Sequence, residues 1–248
     1  MFKEYGELGA VVYELTKPPG TSFNGDIEYY SKKLSDVKGA ILEAGVGTGR
    51  MLIPLIQKGF KVDGVDLSSE MLDKCRENIE KYNVSANIYK QDLTKLSLPK
   101  KYDAVIMPTG SFCLLTKEFA EDVLISLYNH LEDGGKFIVD IIFPEDFIKG
   151  ETISRNYPLS DGTGILYTSF SCGIDWVLQK ASHIIRYELL KDGEIQRTEV
   201  SDFCLHWYGL WEFEMLLKTA GFVDISYEVG YGDTNDSSLI SFTGYKKK

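Results

Sequence analysis

Ile41-Leu42-Glu43-Ala44-Gly45-Val46-Gly47-Thr48-Gly49-Arg50 decides the fold of this chain. Its first residues are apolar and suit a buried strand. Three glycines follow at alternate positions, and Met51-Leu52-Ile53-Pro54-Leu55-Ile56 can then open a helix. Strand, glycine turn and helix together cradle nucleotide-like ligands. Glycine accepts positive φ and lets a ligand touch the backbone, and the helix start offers unpaired N–H groups. The dinucleotide fingerprint G-x-G-x-x-G fails here, because its third glycine, counted from Gly45, falls on Arg50. The Gly-Lys-Ser/Thr end of a phosphate-binding loop is absent as well.

Outward from this turn the pattern alternates strand and helix. Lys61–Asp66 reads as a second strand with Asp66 at its tip, followed by Leu67 and a serine-capped helix from Ser68-Ser69-Glu70. Ala86–Lys90 reads as a third strand, ending on Gln91-Asp92-Leu93. Tyr102–Met107 reads as a fourth, running into Pro108-Thr109-Gly110-Ser111. A helix over Glu118–His130, a turn at Asp133-Gly134-Gly135 and a fifth strand over Lys136–Ile141 follow. Upstream, Tyr5, Val12, Tyr13 and Leu15 suggest a short helix, and Asp26–Leu34 a second.

From Pro144 to Tyr208 helical periodicity gives way to alternation. Val177, Ala181, His183, Ile185, Tyr187 and Leu189 share one face of a long strand. Asp192-Gly193 marks a hairpin. The returning strand places Ile195, Phe203, Leu205 and Trp207 on one face, and Thr198, Asp202, Cys204 and His206 on the other. Gly164–Phe170 adds a further strand. Leu210–Thr219 returns to helix, and Val223–Tyr227 and Leu239–Tyr245 complete the main sheet. The expected fold is α/β: a Rossmann-like, mostly parallel seven-stranded sheet with an antiparallel β insertion after strand five.

Glu43, Gly45, Gly47 and Gly49, then Asp66, then Asp92 resemble motifs I, II and III of the class I S-adenosylmethionine (SAM) dependent methyltransferases, in order. The resemblance is strongest over residues 39–141. It implies SAM as cofactor, with Gly45, Gly47, Gly49 and Arg50 around the methionine portion. Glu43 either orients the turn or reaches the methionine ammonium through water. Asp66 would hold the ribose hydroxyls and Leu67 cover the adenine, with Met71 nearby. Gln91, Asp92 and Leu93 would lie at the adenine amine. Pro108, Thr109 and Ser111 would border the methyl group, and Tyr13 would reach in from the N-terminal segment. The domain reading is a helical lid over 1–38, a core over 39–143 and 209–248, and a substrate-side insertion over 144–208. The insertion, with Asp140–Pro144 and Phe203–Tyr208, is similar to that of the aminosugar N-methyltransferases, which implies a small-molecule acceptor. The [N/D]-P-P-[Y/F] motif of DNA amino-methylases is replaced by Met107-Pro108-Thr109-Gly110.

Composition narrows the partners. A net charge of −10 and pI near 4.9 give no basic footprint for nucleic acid. No apolar stretch is long enough for a membrane span, and no secretory start is visible, so a cytoplasmic protein is expected. Cys75, Cys113, Cys172 and Cys204 have neither metal-ligand nor C-x-x-C spacing, so no metal is expected. A homodimer stays open. If the acceptor arrives protonated, His206, on the polar strand face, is the first candidate base and Tyr208 the second. His183, on the apolar face, reads as packed. Two rivals remain: a SAM-binding protein without catalysis, and a nicotinamide-dependent oxidoreductase. The latter's Tyr-x-x-x-Lys occurs only as Tyr29…Lys33 and Tyr187…Lys191, in unsuitable places.

Overall fold

The computed structural model describes residues 5–232 and 238–248. Residues 1–4 of the expected lid and 233–237 of the expected core lie outside the described residues. Helices α1 (Glu7–Thr16) and α2 (Asp26–Lys33) lead into β1 (Ala40–Ala44), α3 (Leu52–Gln57), β2 (Lys61–Asp66), α4 (Ser69–Lys81), β3 (Ile88–Lys90), β4 (Tyr102–Met107) and α5 (Ala120–Asn129). Next come β5 (Leu131–Ile142), four insertion strands β6 (Thr152–Pro158), β7 (Gly164–Asp175), β8 (Lys180–Lys191) and β9 (Glu194–His206), then α6 (Leu210–Thr219), β10 (Val223–Val229) and β11 (Leu239–Tyr245). The main sheet has seven strands in the order β10-β11-β5-β4-β1-β2-β3, and β11 runs antiparallel to both neighbours. The strand order turns around at β1, which lies between β2 and β4. In open α/β sheets that is where the crevice for a ligand forms.

The central strands β1 and β4 are mostly apolar and buried on both faces, as the helix-covered position requires, with Glu43 the buried charged exception in β1. Leu42, Val105, Val139 and Phe137 pack under α5 and α6. Ile41, Ala104, Ile106 and Ile138 pack under α2, α3 and α4.

The insertion is a four-stranded antiparallel meander, β6-β7-β8-β9. Three local readings are corrected. The Asp133–Gly135 turn is a bulge within β5: pairing shifts from Tyr102↔Leu131 to Ala104↔Lys136, and the C-terminal segment holds the bulge through Gly134 N→Lys246 O (3.1 Å) and Lys246 N→Gly135 O (2.9 Å). Val177 lies in the β7–β8 hairpin, not on a strand, because Asp175 Oδ1 accepts from the N–H groups of Val177 and Leu178 (2.9 Å each). Ile195 does not share a face with Phe203. Leu189 pairs with Arg197 but Leu190 with Ile195, and this register shift reverses the alternation.

Helix α1 joins the two sheets. Leu8 and Val12 pack on Ile165 and Tyr187 of the insertion. The Leu8 N–H donates to Glu199 (2.9 Å), and Asn78 of α4 donates to Glu14 (3.0 Å).

Candidate active site

The glycine turn bends back over the sheet edge. Gly45, Gly47 and Gly49 have φ of 74°, 55° and 85°, a region that strains other residues. The N–H groups of Gly45 and Val46 donate to Val65 O (2.8 and 3.1 Å). Asp66, at the tip of β2, accepts from Gly47 N through Oδ2 and from Ser68 N through Oδ1, both at 2.9 Å. Desolvation raises its carboxyl above the ordinary value. The glycines differ in what a side chain would meet. A Cβ on Gly45 would press on Ser111 (3.3 Å), and one on Gly49 on Cys75 (3.1 Å). On Gly47 it would meet only the Met71 methyl, at 3.6 Å, with open space beyond.

Glu43 lies at the floor of this turn. It is 3% exposed, and its Oε2 has no hydrogen-bond partner. Desolvation pushes its carboxyl up to about 8, against the pull of Arg50. Arg50 is 4% exposed. It pairs with Asp26 (2.6 Å), donates to Thr21 O (2.7 Å) and Thr109 Oγ1 (3.3 Å), and stacks 4.8 Å from the Phe23 ring. One side chain thus ties the N-terminal segment, α2 and the β4 loop to the glycine turn.

The other expected cofactor contacts fall around this centre in different ways. Leu67 is 66% exposed beside Asp66. Met71 is buried under Gly47. Asp92 Oδ1 accepts from Thr94 N and Oγ1 (2.9 and 2.8 Å), which caps a 3₁₀ turn and lowers its carboxyl. The Gln91 amide is bound on both sides by the Ser97 backbone (2.9 and 2.7 Å). Leu93 is half-buried against the core. Pro108 is buried, and Ser111 donates back to its carbonyl (3.0 Å). Thr109 has φ 53°, and its N–H donates to Asp140 (2.7 Å).

Asp140 is absent from the sequence-level site. It is fully buried, also accepts from Tyr231 Oη (2.7 Å), and burial raises its carboxyl to about 6. Its signal was present: an acid amid Ile138-Val139 and Ile141-Ile142.

Two adjoining cavities open here. The inner one, of about 320 Å³, lies against Arg50, Thr109, Gly110 and Ser111. The outer one, of about 680 Å³, lies between α1 and the inner face of the insertion, against Tyr157, Tyr167, His183 and Tyr187. Tyr5, Tyr13, Lys17 and Phe203 line both. Tyr5 O lies 3.5 Å from Ser68 Oγ, and the Tyr5 and Tyr13 rings meet edge to face (6.2 Å).

His206 and Tyr208 line neither cavity. Phe203 and Leu205 point inward, so alternation along β9 sends His206 to the opposite face. There its Nδ1 is buried without a partner, and desolvation with Lys180 and Lys117 lowers its pKa. The Tyr208 ring packs on Phe112 and Phe213. His183 lines the outer cavity between Phe147 and Phe203. Its Nδ1 lies 3.3 Å from Ser171 Oγ, and desolvation lowers its pKa. The cavity thus lies on the less polar face of the strand pair. Among the described residues no cluster of three or more His, Cys, Asp or Glu has metal-site geometry, and no helix is long and apolar enough to cross a membrane.

Residues 41–135 match the methyltransferase domain family. A protein of Geobacillus sp. (strain WCH70), described as a methyltransferase, is 30% identical over 204 residues, 78% of this chain and 77% of that one. The chain belongs to the class I SAM-dependent methyltransferases. Its cofactor is SAM. Two solved structures share its fold, each at a TM-score of 0.76. A SAM-dependent methyltransferase from Clostridium acetobutylicum ATCC 824 is 20% identical, with 96% of this chain and 98% of that one covered. The sugar N-methyltransferase KedS8 from Streptoalloteichus sp ATCC 53650 is 19% identical, covering 95% and 93%. The site in this methyltransferase fits the cofactor: the orphaned Glu43 oxygen suits an ammonium, and the open cradle at Gly47 suits close approach of a ligand to backbone.

Proposed function

We propose that this methyltransferase transfers the SAM methyl group, by in-line displacement, to a small molecule held in the outer cavity. The observation that carries the reading is the shared mouth. Tyr5, Tyr13, Lys17 and Phe203 border both cavities, so the inner one adjoins the outer across these side chains. About 680 Å³ is the size of a small-molecule site. The likeness to a sugar N-methyltransferase supports an acceptor of that size.

When bound, SAM supplies the activated methyl group. The chain supplies alignment and a dry passage, worth roughly 7–11 kcal/mol in well-oriented reactions. In this reading Glu43 and the Gly45–Gly47 backbone hold the methionine portion, and Asp66 the ribose. Leu67, Asp92 and Leu93 border the adenine. Pro108, Thr109 and Ser111 face the passage, kept in place by Arg50 and Asp140. Residues 1–38 act as the lid, and 144–208 wall the acceptor side. His183, which lines the outer cavity with a lowered pKa, takes up the acceptor's proton where one must leave. His206 and Tyr208 are left to packing.

Incubation with methyl-labelled SAM and a cell extract, separated by size, tests the reading. Label in molecules below about 1 kDa, lost in Gly47→Val, is the expected result. Label confined to protein or nucleic acid would overturn it.

A further inference from the structure

The charges around the outer cavity run against those of the whole chain. The chain carries −10, yet among the described residues no Asp or Glu lines the cavity. Its ionisable lining is Lys17, Arg155, His183 and five tyrosines. The neighbouring groove, between the other face of α1 and α4, holds Glu7, Glu70, Asp73, Glu77 and Glu199. The acids are therefore nearby but kept out of the chamber.

Both cations in the chamber lack a carboxylate partner among the described residues. Four of the five arginines pair with carboxylates: Arg50 with Asp26, Arg76 with Asp73, Arg186 with Glu188, and Arg197 with Glu7 and Glu199. Arg155 has no carboxylate partner among the described residues. It stands on β6 opposite Tyr167, with Tyr157 two residues along the strand. The Lys17 ammonium, at the shared mouth, also has no hydrogen-bond or ion-pair partner among the described residues, while its backbone N–H donates to Tyr13 O (2.8 Å). Its ammonium lies over the Tyr13 and Phe23 rings, 4.8 and 5.6 Å from their centres. Desolvation and the nearby Arg50 lower its pKa, as expected for a cation kept from an anion. Tyrosine hydroxyls add further donors. An unpaired guanidinium beside such a recess favours a ligand that brings an oxyanion, which its planar fork can bind through two parallel hydrogen bonds.

We propose that the methyl acceptor carries an anionic group, a carboxylate or a phosphate, which Arg155 binds at the outer wall while Lys17 attracts it from the inner mouth. This rests on the outer cavity being the acceptor site. Arg155 is exposed on the edge strand β6, so it can meet an anion at the rim of the cavity, whereas a neutral or purely cationic acceptor would leave Lys17 with only the Tyr13 and Phe23 rings.

The probes are inorganic pyrophosphate and malonate, titrated separately at constant ionic strength onto the full chain saturated with S-adenosylhomocysteine (SAH), with thermal unfolding as the readout. At least one should raise the midpoint saturably. Pyrophosphate alone would indicate a phosphate, and malonate alone a carboxylate. Arg155→Gln should weaken the effective anion by about tenfold or more, while Arg186→Gln, whose side chain lies outside the cavity, should leave it unchanged. SAH titration of each variant checks that the cofactor site is folded and intact. No saturable shift with either anion, or equal binding by Arg155→Gln, would overturn the proposal. Failure here, with label still entering small molecules, would remove the anionic acceptor alone. Label found only in macromolecules would remove the acceptor-site reading beneath it.

Discussion

Glu43 shows how a single residue couples the cofactor to pH. Its carboxyl has an ordinary value of 4.5 and stands at about 8 in the folded chain. A folded value above the unfolded one means that stability is greatest in acid. That stability is lost as pH rises from about 4.5 to about 8. The unfolding midpoint of the free chain should therefore fall across this window, and Glu43→Gln should flatten the fall. A bound ammonium would pull the carboxyl down, so SAM binding at pH 7 should release part of a proton. Calorimetry in two buffers of different ionisation heat reads this directly, and buffer-independent heats would remove the Glu43 contact. Asp66→Ala should weaken SAM by roughly 1–3 kcal/mol, the range for a lost charged hydrogen bond, and unchanged calorimetric affinity would refute the ribose role. At this scale the glycine turn and Asp66 were legible, because backbone conformation and strand-tip position follow from residue type. The histidines were not. Alternation tells which residues share a strand face, but it does not say which face the cavity takes. A polar face suggested His206, whereas the cavity lies on the apolar face with His183.

Among the elements, α2 depends on one node. Asp26 Oδ1 accepts from Phe23 N and Ile27 N (2.9 and 2.8 Å), and Oδ2 pairs with Arg50. Neither side chain is more than 4% exposed. Asp26→Asn leaves a buried guanidinium without its counter-charge, a change that typically costs about 3–5 kcal/mol. Arg76→Gln breaks an exposed pair with Asp73, and such pairs are worth roughly 0–1 kcal/mol. Urea unfolding should separate the two variants clearly, and equal losses would show that the node is not what holds α2. Element identity was largely readable from period. The bounds of β2, β4, α6 and β11 agree with the sequence reading. The misses at Asp133–Gly135, Val177 and Ile195 share a cause. Each sits at a bulge or an Asp-capped hairpin, where one extra residue or one side-chain bond breaks the period on which the reading rests.

Over the whole molecule, strand order brings the glycine turn, the β2 tip and the β4 loop to one edge, and α1 spans from there to the insertion. Sequence could indicate an inserted sheet. It could not show that α1 packs on that sheet through Leu8 and Val12 and so encloses a chamber, because the contact joins segments far apart in the chain. On the proposed function, the cofactor site opens into that chamber through the mouth lined by Tyr5, Tyr13, Lys17 and Phe203. The most direct measurement is a crystal structure of the SAH complex. The expected complex has ribose hydroxyls on Asp66, the amino group over Glu43, and the sulfur facing that mouth. A sulfur turned away from the mouth, with the chamber sealed from it, would show that the chamber is not where the methyl group is delivered.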